Sequence, residues 1–320
     1  MKTAMKWLGY VLGGVVALAA VGFLIGAWYY RDIPAATLLA KYGNDQSKFI
    51  ALNGVRVHYR DEGPKDGPTV VLIHAHYDSL LSWDPWVAAL KEKYRVVRFD
   101  MTSHGLTGAD PSGDYTLKRT VDLAEKFFDA LGLTKFSIGG TSMGGTIAIH
   151  YASRHPDKIE KMILMSPGAL NTRVRGRDTP PPLPPGIDLA AYITPRIIFR
   201  GLLSSGFGDK SKLSDQLIDQ WWDMMRLEGQ REAEITRMRQ YVSGDIDSKI
   251  RALEAPVLVM WGEANPVVTV DQAGEFTKML EKSRAVKLIT YPGVGHMAVH
   301  EAPDKTAADA RVFLDGDALN

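Results

Sequence analysis

Ser142 stands between glycines in Gly140-Thr-Ser-Met-Gly144-Gly145, after the apolar run Phe136-Ser-Ile-Gly139 and before Thr146-Ile-Ala-Ile-His-Tyr-Ala152. The first run reads as a short buried strand and the second as a helix, which puts the serine on a sharp strand-to-helix turn. A residue there takes a strained backbone, and the flanking glycines avoid a Cβ clash, leaving the Ser142 hydroxyl exposed above the sheet. The same spacing also serves as a plain Gly-rich turn, so the serine gains chemical meaning only from its partners. A hydroxyl nucleophile needs a base, a group to orient that base, and donors for the oxyanion that forms.

The best base is His296, in Tyr291-Pro-Gly-Val-Gly-His-Met297 directly after the last strand-like run. It follows two glycines at a strand end, where ligands collect in open α/β sheets. Oxyanion donors are expected from the backbone N–H of Met143 and of His76, the latter in the loop His74-Ala-His-Tyr-Asp78. His-x-His-x-Asp is also a zinc-ligand spacing, but that motif usually continues with a further His where this chain has Ser79. The expectation is therefore no metal.

These groups need a scaffold. Lys48–Leu52, Asn53-Gly54 and Val55–Tyr59 read as a hairpin. Continuous apolar runs at Thr69–Ile73, Arg95–Phe99, Phe136–Ile138, Lys161–Met165, Val257–Trp261 and Val286–Thr290 read as strands buried on both faces. Helical patterns lie between them at Trp86–Lys93, Leu117–Leu131, Met143–Arg154, Asp271–Glu281 and Thr306–Leu314. This alternation means an α/β fold, a parallel sheet with helices on both faces. From Ala169 to Ile250 no strand pattern appears. A proline cluster (Pro180, Pro181, Pro182, Pro184, Pro185) and helical segments read instead as an inserted cap. Leu217, Ile218, Trp221, Trp222 and Met225 fall on one helical face, fit either to pack the cap on the core or to roof a substrate pocket.

Composition narrows the function classes. The 320 residues carry 38 Lys plus Arg against 37 Asp plus Glu, a net charge of +1 that steers nothing toward nucleic acid. With no cysteine, disulfides, Cys-ligated zinc and a thiol nucleophile are excluded. Trp7–Tyr30 is uncharged and as a helix would span roughly 36 Å, with aromatic residues at both ends and Lys2 and Lys6 ahead of it. The apolar run continues well past Ala17-Leu-Ala19, too far for an ordinary signal-peptide core, so an uncleaved anchor is expected. Positive-inside logic leaves the N-terminus cytoplasmic and the bulk of this single-pass chain on the outer side.

With these residues in place, the chain resembles the α/β-hydrolase superfamily, in the branch of capped serine esterases and carbon–carbon bond hydrolases. The carriers are Ile73-His74-Ala75, Phe99-Asp100-Met-Thr-Ser-His104-Gly105, the elbow at Ser142, Trp261-Gly-Glu-Ala-Asn-Pro-Val-Val268 and Gly295-His296-Met297. The resemblance implies a mostly parallel eight-stranded sheet with a helical cap insertion, joined here to an N-terminal transmembrane helix. Residues 1–31 form the anchor, 32–47 a linker, 48–168 and 250–320 the core, and 169–249 the cap. Relatives acting on epoxides or halides carry Asp at the elbow, so Ser142 implies ester or acyl chemistry.

One departure matters most. The family's orienting acid follows the strand Val257–Trp261, and this chain has Asn265 there. An amide can hold an imidazole but carries no charge to stabilise the imidazolium, and it can favour the wrong tautomer. In a serine protease that exchange costs roughly 10⁴-fold, about 5 kcal/mol. Neither Ser166-Pro-Gly-Ala-Leu-Asn171 nor Glu263 offers an obvious replacement. Three accounts stand: a substitution introduced to silence an enzyme, a natural Ser-His dyad with an amide orienter, or a protein that lost hydrolysis and kept its pocket.

The expectation is a membrane-anchored serine hydrolase of carboxylic esters, its substrate a small-molecule ester or lipid-like compound. Ser142 is the nucleophile, His296 the base, Asn265 the residue at the acid position, and His76 and Met143 the oxyanion donors. No cofactor and no nucleic-acid partner are implied. A non-catalytic ligand-binding relative and a carbon–carbon bond hydrolase are the alternatives.

Overall fold

A computed structural model describes residues 2–168 and 179–316. These residues form eight strands and twelve α-helices. The strands are β1 (Lys48–Leu52), β2 (Val55–Glu62), β3 (Thr69–Ile73), β4 (Arg95–Phe99), β5 (Phe136–Thr141), β6 (Ile159–Met165), β7 (Val257–Gly262) and β8 (Val286–Tyr291). They make one sheet in the order β1-β2-β4-β3-β5-β6-β7-β8. β1 pairs antiparallel with β2, β2 antiparallel with β4, and every later pairing is parallel.

The hairpin follows from its two-residue turn. Leu52 pairs with Val55, and Asn53 and Gly54 both hold positive φ (50° and 85°), the geometry that matches the twist of paired strands. The central strands are apolar on both faces because helices cover both. On one face the rings of Phe127, Phe128, Phe136 and Tyr151 meet edge-on or tilted; on the other Trp83, Trp86 and Phe313 are buried. The helices are α1 (Lys2–Tyr29), α2 (Ala35–Tyr42), α3 (Asp84–Leu90), α4 (Leu117–Ala130), α5 (Met143–Arg154), α6 (Arg196–Gly206), α7 (Asp215–Met225), α8 (Gln230–Gln240), α9 (Ile246–Arg251), α10 (Asp271–Met279), α11 (Ala298–Glu301) and α12 (Pro303–Asp315). α4 shows why such segments are helical. The Thr116 hydroxyl accepts from the Arg119 amide at its start, and Leu117, Val121, Ala124 and Phe128 recur on its buried stripe.

The chain leaves β3 toward β4 on one side and β5 on the other, so the sheet reverses its winding there. The crevice beyond the carboxyl ends of strands at such a reversal is where ligands gather in α/β sheets. Helices α6 to α9 lie between β6 and β7, where the cap was expected. The expected cap start, residues 169–178 with Asn171, lies outside the described residues.

Two differences from the sequence reading concern the N-terminal part. Met5–Tyr29 is a helix long and apolar enough to cross a membrane, as expected. Residues 32–47, read as a spacer, instead carry α2 and dock against α7 and α8. Ile33 forms a bridge with Leu227, Asp32 pairs with Arg231 (2.6 Å), and Lys41 and Tyr42 both bond Asp223 (2.6 and 2.8 Å). Leu38 is buried with Met224 and Leu227.

Candidate active site

Ser142 closes β5 and opens α5, with φ 50° and ψ −117°. This is a costly conformation for a residue bearing Cβ, of order 1–3 kcal/mol, and it persists only because its surroundings fix it. The glycines act by closeness rather than by their own φ. A Cβ on Gly140 would lie 2.4 Å from the Gly144 backbone, and one on Gly144 would lie 2.3 Å from the Ile73 carbonyl oxygen. The elbow is thus pressed against the end of β3.

Four strand ends converge here. Ser142 follows β5, His76 follows β3, Asn265 follows β7 and His296 follows β8. The Ser142 Oγ lies 2.9 Å from His296 Nε2, and His296 Nδ1 lies 3.1 Å from Asn265 Nδ2. The expected serine, imidazole and amide are therefore in line. The His296 loop is held by its backbone: the His296 N–H donates to the Gly206 carbonyl (2.6 Å), and the Gly295 N–H to Glu301 Oε1 (2.9 Å).

The orientation of the Asn265 amide decides the chemistry. Its Oδ1 accepts from the N–H groups of Val267 and Val268, both at 3.0 Å. The oxygen is thereby assigned, and the NH₂ must face His296 and the Ser166 hydroxyl (3.2 Å). An NH₂ group donates, so His296 Nδ1 must accept and the ring proton sits on Nε2. That proton points at Ser142, the opposite of what a base requires. Burial holds the His296 pKa down to about 4, so the ring is neutral at physiological pH. Glu263 does not substitute: it is exposed and accepts from the Thr290 hydroxyl. Ser166, at φ 39° the second partner of the amide, was not singled out in the sequence. Its only sequence signal was its place after a strand in the same sheet.

The oxyanion side is built differently. Met143 and His76 both border a cavity of about 260 Å³ that contains Ser142. The His76 ring stacks on Tyr77 (centroids 3.6 Å apart), lies 2.6 Å from Glu234 Oε1 and touches the Arg237 guanidinium. Arg237 grips both Glu234 oxygens, at 2.6 and 2.8 Å. Burial alone would raise the Glu234 pKa, but Arg237 and His76 hold it well below the carboxylate range. Burial, then Arg237, lowers that of His76. Ligand atoms of His76, His104 and Glu234 lie within 4.8 Å of one another, a spacing a divalent cation could use. Arg237 already supplies the positive charge at that carboxylate.

The remaining walls are Thr146, Gly168, Pro181, Leu183, Met238, Tyr241 and Ser243. α8 therefore lines the cavity, together with the proline segment. The α7 face of Trp221 and Met225 does not. It packs with Phe199, Leu203, Phe207 and Met297, so the packing role is the one α7 fills.

The sequence profile of the alpha/beta hydrolase fold matches residues 68–303. The chain belongs to that family. A 2-hydroxy-6-oxo-6-phenylhexa-2,4-dienoate hydrolase of Burkholderia cepacia is 26% identical over 288 residues, 84% of this chain and 95% of the relative. A bifunctional esterase/perhydrolase of Acinetobacter calcoaceticus is 28% identical over 261 residues, 76% of this chain and 90% of the relative. Among solved structures, a membrane phospholipase A described as a bacterial virulence factor superposes with a TM-score of 0.71 at 22% identity. It covers 99% of this chain and 100% of its own, so the shared fold includes the N-terminal helix. This hydrolase thus joins an enzyme family whose members include esterases and carbon–carbon bond hydrolases.

Proposed function

We propose that the chain is a membrane-anchored serine hydrolase of carboxylic esters. The observation that carries this is the 2.9 Å approach of Ser142 Oγ to His296 Nε2 at the floor of an open cavity. Ser142 attacks the acyl carbon, His296 takes its proton and returns it to the leaving alcohol, and the amides of Met143 and His76 hold the oxyanion. Water then releases the acyl group with His296 again as base. Asn265 slows both steps, since His296 must first move its ring proton from Nε2 to Nδ1, against the Asn265 NH₂. The apolar run of α1 supports an anchor, and the Acinetobacter esterase and the membrane phospholipase A support an ester, lipid-like substrate.

The amide donor aimed at His296 Nδ1 favours a second reading, a pocket that binds its ligand without turnover. A fluorophosphonate probe separates the two. Under the hydrolase reading Ser142 gains the phosphonyl mass, slowly, and Ser142→Ala loses both labelling and turnover of a short p-nitrophenyl ester. A wild-type chain that stays unlabelled after prolonged exposure decides for the binding protein.

A further inference from the structure

The exposed apolar side chains of the described residues fall in two main groups. One is α1 itself. The other is on the helices between β6 and β7: Leu189, Tyr192, Ile197, Ile198 and Leu202, of which Ile197 is 66% and Leu189 57% exposed. On α6, positions 197, 198 and 202 share the face opposite the buried Phe199 and Leu203. The neighbouring charges are already spoken for: Asp188 pairs with Arg239, and Arg196 and Arg200 with Asp215.

The two groups touch. The Phe23 and Tyr192 rings meet edge to face at 5.9 Å, and a Cβ on Gly26 would lie 3.0 Å from Ile193 Cδ1. Along the otherwise exposed second half of α1, residues 23, 26, 27 and 30 form a partly covered stripe. These contacts set depth. Phe23 lies seven residues before Tyr30, about 10 Å along a helix. An apolar run of roughly 36 Å centred on a hydrocarbon layer of about 30 Å overhangs by about 3 Å at each end. Phe23 then sits about 7 Å inside the hydrocarbon boundary, within the usual depth of interfacial insertion. Tyr192, in contact with it, cannot be in bulk water. The docking of Asp32, Lys41 and Tyr42 on α7 and α8 keeps that geometry fixed.

We propose that the edge formed by Leu189, Tyr192, Ile197, Ile198 and Leu202 inserts into the bilayer leaflet on the catalytic side, and that the Ser142 cavity takes its ester from that leaflet. Pro181 and Leu183, which wall the cavity, lie just before this edge in the same segment. The occupant is lipid: the edge is apolar, its flanking charges are paired, and it is continuous with a helix of membrane-spanning length. The inference rests on α1 as an anchor and on Ser142 as the nucleophile, and it names the source of substrate for that site.

Because the chain has no cysteine, single labels are clean. Full-length Ile198→Cys and Leu189→Cys, each carrying an environment-sensitive fluorophore, are compared in lipid vesicles with Asp66→Cys, at the opposite edge of the sheet. Brominated acyl chains should quench the 198 and 189 labels at least about threefold more than the 66 label, with aqueous iodide reversing the order. Iodide access at 198 and 189 equal to that at 66 overturns the proposal. So does shielding from iodide without bromolipid quenching, which means a second copy of the chain covers the edge. The readout is depth rather than turnover, so failure of Ser142 to label would end the hydrolase reading without altering this result.

Discussion

Ser142 has two flanks, and they are built on opposite principles. On the oxyanion side, α8 drives a buried ion pair, Glu234 with Arg237, against His76. On the base side, His296 meets only a neutral amide and a hydroxyl. Both flanks are dry, so the difference is one of charge rather than access. A buried carboxylate is tolerable where a guanidinium grips both its oxygens. An imidazolium has no such support at 296, and burial alone sets its titration. The architecture for charge stabilisation is thus present in the site, but on the flank away from the base.

The largest expected effect comes from supplying the missing charge. Asn265→Asp keeps the acceptor that the Val267 and Val268 amides require and removes the donor facing His296. The ring proton then moves to Nδ1, and ester turnover should rise by up to about 10⁴-fold. Steady-state kinetics on a p-nitrophenyl ester read this, and no gain would show that Asn265 does not orient the base. Next comes the opposite flank. Glu234→Gln leaves Arg237 buried without its counter-charge and should cost about 3–5 kcal/mol of stability, read as a lowered midpoint in urea. Arg237→Met added to it should recover much of the loss. If the double variant is no better than the single, the pair is not what holds the flank.

The smallest effect is in pH. His296 binds its proton near pH 4 when folded and near 6.5 when unfolded. Between those values only the unfolded chain is protonated there. This group's share of stability is therefore full above pH 6.5 and declines as pH falls from 6.5 toward 4. Turnover needs the neutral ring, so its acid limb should lie near pH 4. In Asn265→Asp that limb should move upward, because a carboxylate favours the imidazolium. An unmoved limb would mean that a group other than His296 sets it.

Local chemistry made most of the scaffold readable. Asn53-Gly54 placed the hairpin, the apolar runs placed every strand to within a few residues, and the elbow placed α5 from Met143 to Arg154. Two regions were not legible, for the same reason. α2 has one buried residue, Leu38, and is held by ion pairs with residues some 180 positions away. α8, Gln-Arg-Glu-Ala-Glu-Ile-Thr-Arg-Met-Arg-Gln, reads as a polar, solvated helix, yet it buries Arg231, Glu234 and Arg237. Apolar periodicity cannot show burial of paired charges. The Glu234-to-Arg237 spacing of three residues was the one available signal. In the site, residue types at 142, 296 and 265 were readable from spacing, but the amide's orientation depends on Val267 and Val268 amides fixed only by the fold.

The juxtamembrane residues set a practical limit on detaching the enzyme from its membrane. Because Asp32, Ile33, Leu38, Lys41 and Tyr42 are fastened to α7, α8 and the loop between them, a soluble version has to begin between Tyr30 and Asp32. Starting instead at Lys48, where the sheet begins, would strip a clasp from the helices above the cavity and solubilise a weakened protein.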